Sequence, residues 1–165
     1  MRFSNNGIAI LKLLEGAVIC GGKHVIYDDQ NGEPVPPKLP LPRGATIGYG
    51  HLIQTGEDFF HGIDEARATE LLRADIATAE RAVQKNITVP LTQNQYDALV
   101  IFAYNIGVAN FAKSTVVKYI NNPNHHSATY PTLESAWRAW NKSNGHTIAG
   151  LTRRRDTELK LFHTI

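Results

Sequence analysis

Apolar positions along the chain follow two rhythms, one helical and one extended. Ile8, Leu11 and Leu14, flanked by Ile10 and Leu13, recur at three- and four-residue steps, and Ser4 or Asn5 can cap them. This spacing predicts a short helix that stops at Gly16 and leaves Glu15 in its last turn. Ile63 to about Asn86 carries the longest helical pattern, with Asp64 as its cap and Leu72, Ile76, Ala79 and Val83 on one stripe. Charged residues such as Arg67, Glu70, Arg73 and Arg81 fill its other faces, the pattern of a helix wetted on most sides. Thr92 to Gln95 matches a capping box ahead of Tyr96, Leu99, Val100 and Ala103, so a further helix should run to Gly107. Phe111 and Ser114 to Ile120 predict short helices, Pro131 opens one carrying Trp137 and Trp140, and Leu151 to Phe162 forms the last.

The extended rhythm is confined to the first third. Val25, Ile26 and Tyr27 are β-prone and run into the turn signal Asp28 to Gly32, while Thr46 to Tyr49 resumes as a strand. Between them lie Pro34, Pro36, Pro37, Pro40 and Pro42, a stiff extended loop that closes a hairpin. A proline-rich ligand for another protein is the lesser reading of that loop. The chain is therefore expected to be α+β and mostly helical, one domain over residues 1–165. It would have a small antiparallel sheet lobe at about 16–62, a linking helix at about 63–86, and a helical lobe at about 87–165 joined by the N-terminal helix.

Composition narrows the function classes. Apolar residues at 42% and charged residues at 19% suit a folded soluble chain large enough for a real core. Cys20 is the one cysteine, so the fold must stand on packing without an internal disulfide. No stretch approaches a membrane span, and the first residues lack the pattern of a secretory signal, so synthesis in the cytoplasm is the expectation. A net charge of +2, with Arg153 to Arg155 as the only dense cationic cluster, favours approach to an anionic surface but is too weak for a dedicated nucleic-acid binder. No nucleophile elbow, phosphate-cradling loop or zinc motif occurs, and His125-His126 lies in a polar loop without partner ligands, so no metal or cofactor is expected.

What remains is a pairing of carboxylates. Glycoside cleavage needs one carboxyl group to protonate the leaving oxygen and another that stays ionised to steer water or stabilise positive charge. Glu15, beside apolar Leu13, Leu14, Ala17 and Val18, suits the first task, and an aspartate in the polar turn after Tyr27 suits the second.

The sequence resembles the phage-type lysozymes, or endolysins, of glycoside hydrolase family 24. The resemblance rests on Leu13 to Gly16, Tyr27 to Asp29, Thr46-Ile47-Gly48-Tyr49-Gly50-His51, Ala103 to Gly107, Phe111 to Thr115, Trp140 to Lys142, and Gly150 to Arg155 with Glu158. These segments cover the chain from end to end in the family's order. They imply a lysozyme-like two-lobed fold and hydrolysis of the β-1,4 bond between N-acetylmuramic acid and N-acetylglucosamine in peptidoglycan. They also imply Glu15 as general acid, Asp29 as second carboxylate in preference to Asp28, and Thr46 as a holder of the attacking water. Tyr27, His51 and Asn105 would line the substrate site, His51 in a structural or cleft-lining role. The expected agent is a monomer without stable membrane insertion that acts in the periplasm or cell wall for host lysis; a secreted antibacterial effector and a non-catalytic wall-binding protein are the alternatives. The spacing departs from the family: 14 positions separate Glu15 from Asp29 and 17 separate Asp29 from Thr46, longer than the usual run.

Overall fold

The structure, a computed structural model, describes all 165 residues. The fold is mixed α+β, helices accompanied by small antiparallel sheets. The chain divides into two compact units, one formed by Ala9–Asp75 and the other by Met1–Ile8 with Ile76–Ile165.

The first helix, α1 (Asn5–Glu15), starts where the Ser4 hydroxyl accepts from the Gly7 N–H at 3.0 Å. It buries Ile8 and Leu11, and ends where Gly16 takes a φ of +69° while its N–H bonds back to the Lys12 carbonyl. The anticipated apolar face is narrower than its spacing suggested, because Leu13 is 86% exposed.

In the Ala9–Asp75 unit, β1 (Ile19–Cys20) and β2 (Lys23–His24) form a hairpin around Gly21 and Gly22, both at positive φ. Side chains with a Cβ are strained there, so the paired glycines are what allows the tight turn. The main sheet has the order β3 (Tyr27–Asp28), β4 (Ala45–Ile47), β5 (His51–Leu52), all antiparallel. Its register sets Tyr27 opposite Thr46, Asp28 opposite Ala45 and Ile47 opposite His51. Ile26, Ala45, Ile47, Phe59, Ile63, Ala68 and Leu71 form this unit's core. The proline-rich segment is the connection between β3 and β4, as its composition predicts.

The long helix α2 (Glu65–Asn86) is capped by Asp64, whose carboxylate accepts from the Arg67 N–H at 2.8 Å, and the expected stripe of Leu72, Ile76, Ala79 and Val83 is buried. In the other unit, α3 (Gln93–Ile106) opens with the full Thr92–Gln95 capping box and is buried from Tyr96 to Ala103. It is followed by α4 (Val108–Lys113), α5 (Thr115–Asn121), α6 (Leu133–Arg138), a hairpin of β6 (Lys142–Ser143) and β7 (His146–Thr147), and α7 (Ala149–His163). Trp137 is fully buried, with its ring 4.7 Å from Phe102 and 5.4 Å from Phe162 between centroids, while Trp140 falls just past the end of α6.

The β6–β7 hairpin is an addition to the expected elements. Its turn residues Asn144 and Gly145 both take positive φ, the conformation that lets a two-residue turn match strand twist. The Arg153 to Arg155 cluster is corrected as well: Arg154 and Arg155 are buried, and both donate to Glu158, which also accepts from the Trp137 indole at 2.8 Å. One turn of α7 places an arginine three and four residues before this glutamate, so Arg154 and Arg155 form an internal ion network and only Arg153 is left exposed. Burial pushes the Glu158 carboxyl up from its ordinary range, against the pull of the two guanidinium groups and the indole.

Candidate active site

The helix-stop at Gly16 leaves Glu15 as the last residue of α1, half-buried. Gly50 lies against it: a Cβ on Gly50 would sit 3.6 Å from the Glu15 Oε2. Gly50 holds a φ of +92°, so the loop between β4 and β5 can pass close to the carboxylate only with glycine at this position.

The two aspartates differ in their surroundings. Asp28 pairs with Ala45, a core residue, and its carboxylate accepts from the Gln30 N–H at 2.9 Å in a local turn. Asp29, one residue on, opens the turn after β3 and is exposed. Its N–H reaches the Gly44 carbonyl at 3.4 Å, and its carboxylate lies directly over Gly44, where a Cβ would come within 2.6 Å of Oδ1. Thr46, two residues beyond Gly44 on the same face, is buried and donates its hydroxyl to the Gly44 carbonyl at 2.8 Å. Asp29, Thr46 and Tyr27 are thus assembled across one pair of strands despite the long connection, which is spent in the loop.

Tyr27 ties Glu15 to this group. Its phenol is pushed above its ordinary pKa, first by burial and then by the negative charge of Glu15; Asp29 adds to the rise, and a backbone hydrogen bond with Gly50 opposes it. Tyr27 therefore senses both carboxylates at once.

His51 is placed differently. Its Nδ1 faces the Asp75 carboxylate at 2.9 Å and its Nε2 faces Glu57 at 2.9 Å, so both ring nitrogens are engaged within the protein. Burial lowers its pKa, but the two hydrogen bonds and two negative charges outweigh burial and raise it. Asn105, near the end of α3 in the helical unit, is exposed and accepts a hydrogen bond from Arg155. The helix cap at that end is Gly107, not Asn105.

Sequence reasoning missed five supports of this site. Gly44 and Gly50 gain their roles from cross-strand register. Glu65, at the start of α2, accepts from Lys12 at 2.6 Å and from Tyr49 at 2.9 Å, and faces the buried His24 at 2.8 Å. Glu57 and Asp75 hold His51. None of these partners has a local signature, although the buried contacts of His24 and His51 required carboxylates somewhere.

Residues 24–158 match the phage lysozyme family model. The chain belongs to the phage lysozyme family. It is 36% identical to the endolysin of Bacillus phage B103 over 99% of its own length and 55% of that protein. It is 35% identical to the endolysin of Salmonella phage P22 over 94% of each. Among solved structures, the muramidase domain of SpmX from Asticaccaulis excentricus is similar at a TM-score of 0.75, with 31% identity and 99% coverage of both chains. The chain therefore spans about half the length of the Bacillus phage relative and nearly all of the Salmonella phage one. The family's lysozyme fold accounts for the α+β architecture, and no helix is long and apolar enough to cross a membrane.

Proposed function

We propose that this chain hydrolyses peptidoglycan as a muramidase, cleaving the β-1,4 bond between N-acetylmuramic acid and N-acetylglucosamine. Glu15 protonates the glycosidic oxygen. Asp29, exposed at the surface, orients and deprotonates the attacking water, and the Thr46 hydroxyl, whose proton is committed to the Gly44 carbonyl, offers that water an acceptor. Attack by water held by Asp29, with no bond from carboxylate to sugar, inverts the anomeric centre. The observation that carries this reading is the arrangement about β4: the Glu15 carboxylate stands against Gly50 just after it, and the Asp29 carboxylate and the Thr46 hydroxyl both lie at Gly44 just before it. Family membership and a solved relative described as a muramidase domain support the substrate.

Tyr27 supports the two carboxylates and borders the sugar. His51, both of its nitrogens engaged, holds the glycine segment in place. The chain acts as a monomer on the cell wall in the course of host lysis, needing no metal or cofactor for this scheme.

The test is release of reducing ends from purified peptidoglycan by the wild type and by Glu15→Gln at matched folded concentration. Loss of the general acid should lower release by about a thousandfold, within the usual range for such groups. No release by the wild type overturns the activity, and undiminished release by the variant overturns Glu15 as the acid.

A further inference from the structure

Beside Asp29 the surface opens into a hollow of about 640 Å³ that the proposed reaction leaves unused. It begins at Gly44, the residue under the Asp29 carboxylate, and runs along the proline-rich connection to the far end of β5. Two of the chain's exposed large apolar side chains line it, Leu39 at 71% and Leu52 at 51% exposure, with Pro40 and Pro42 continuing the wall. Apolar surface gathered next to a reaction site, on a segment stiffened by proline, is a binding feature more than a packing one.

Of the charged and amide groups around it, only one is uncommitted, and Thr55 adds a small hydroxyl. Glu57 accepts from His51 and from the Gln54 N–H at 2.8 Å, and the Gln54 amide donates to the Leu52 carbonyl at 2.8 Å. Arg43, next to Gly44, is exposed and forms no ion pair or hydrogen bond through its side chain. The hollow thus presents small apolar contacts and a single uncommitted guanidinium, which selects a ligand of small alkyl groups ending in a carboxylate.

We infer that this hollow binds the peptide stem of peptidoglycan, with stem carboxylates on Arg43 and alanine methyl groups against Leu39 and Leu52. This rests on the muramidase reading and extends it: the stem hangs from the muramic acid whose bond is cut, so a groove that starts at Asp29 lies where a stem can enter. The proline-rich insertion then sets substrate selectivity, favouring glycan that carries peptide over bare glycan.

Two measurements test it. Rates of reducing-end release are compared on intact peptidoglycan and on the same glycan stripped of peptide by an amidase, for the wild type, Arg43→Glu and Arg43→Lys. The ratio of the intact to the stripped rate should fall about tenfold in Arg43→Glu, the worth of one charge-assisted contact, and should largely survive in Arg43→Lys. Equal losses on both substrates, or none, overturn the inference. Separately, N-acetylmuramoyl-L-alanyl-D-glutamate is titrated against the labelled protein: resonances of Arg43, Leu39 and Leu52 should move in the wild type, and those of Leu39 and Leu52 should not move in Arg43→Glu. Absence of those shifts overturns the stem site even if hydrolysis is robust, as does concentration-dependent self-association through Leu39 and Leu52. Binding of the probe without any hydrolysis by the wild type would instead overturn the muramidase reading and keep the site.

Discussion

At the scale of single residues, the site depends on what is missing from Gly44 as much as on what Asp29 supplies. Gly44 holds a φ of +88°, and a methyl group there would stand 2.6 Å from the Asp29 Oδ1. Gly44→Ala therefore meets two penalties: a left-handed backbone costing about 1–2 kcal/mol for a residue with a Cβ, and a displaced carboxylate. The stability loss should be modest, but activity per folded molecule should fall far more, by about a hundredfold, because a shift of about 1 Å in a group that orients water is costly in rate. Urea denaturation and reducing-end release on the same preparation separate the two effects. Activity that drops only in proportion to the folded fraction would remove Asp29 from the reaction.

At the scale of elements, Glu65 fastens three segments that bear on Glu15. Lys12 lies one helical turn before Glu15, Tyr49 precedes the Gly50 that lies against it, and His24 leads into Tyr27. Burial pushes the Glu65 carboxyl up, but hydrogen bonds from Lys12, His24 and Tyr49 override this and hold it at about 2, while the same contact and its own burial push the Tyr49 phenol to about 12. Glu65 is 56% exposed, so water screens much of that attraction. Removing it in Glu65→Ala should cost about 1 kcal/mol of stability after screening. The larger effect should be on turnover: kcat lower by about tenfold with KM little changed, because the acid loses its orientation and the sugar contacts remain. Glu65→Gln, which keeps an acceptor for Tyr49 and His24 but not the charge for Lys12, should fall between. A rise in KM with unchanged kcat would place Glu65 in substrate binding instead. This hub illustrates the limit of sequence reading, since its members are scattered from Lys12 to Glu65 with no shared spacing. The helices were legible because each carries its own period and caps, as in Thr92–Gln95. The preference for Asp29 over Asp28 came from the family resemblance at Tyr27 to Asp29, but the part played by Gly44 required a register across a loop whose length hides it. Two features had signals that went unused: Asn144-Gly145 marks the β6–β7 turn, and the spacing of Arg154 and Arg155 to Glu158 marks an intrahelical ion network.

At the scale of the whole molecule, stability should depend on pH through His51 and its two carboxylates. His51 has its folded pKa raised above the ordinary 6.5, the Glu57 and Asp75 contacts outweighing burial. Its contribution is therefore complete below about 6.5 and is lost as pH rises through the raised value. Glu57 behaves in the opposite sense. Burial would raise its carboxyl, but hydrogen bonds from the Gln54 N–H and His51 lower it below the ordinary 4.5, so its contribution is complete above about 4.5 and is lost as pH falls through the lowered value. The two together define a window between about pH 4.5 and 6.5 in which the charged imidazolium is clamped on both sides. The side chains are 12%, 31% and 26% exposed for His51, Glu57 and Asp75, sheltered enough for the clamp to be worth about 2 kcal/mol. Urea unfolding of the wild type and of His51→Asn from pH 4 to pH 9 should show the largest gap inside that window and a shrinking gap on both sides. A gap that stays constant across the range would mean that His51 contributes packing and neutral hydrogen bonds rather than charge.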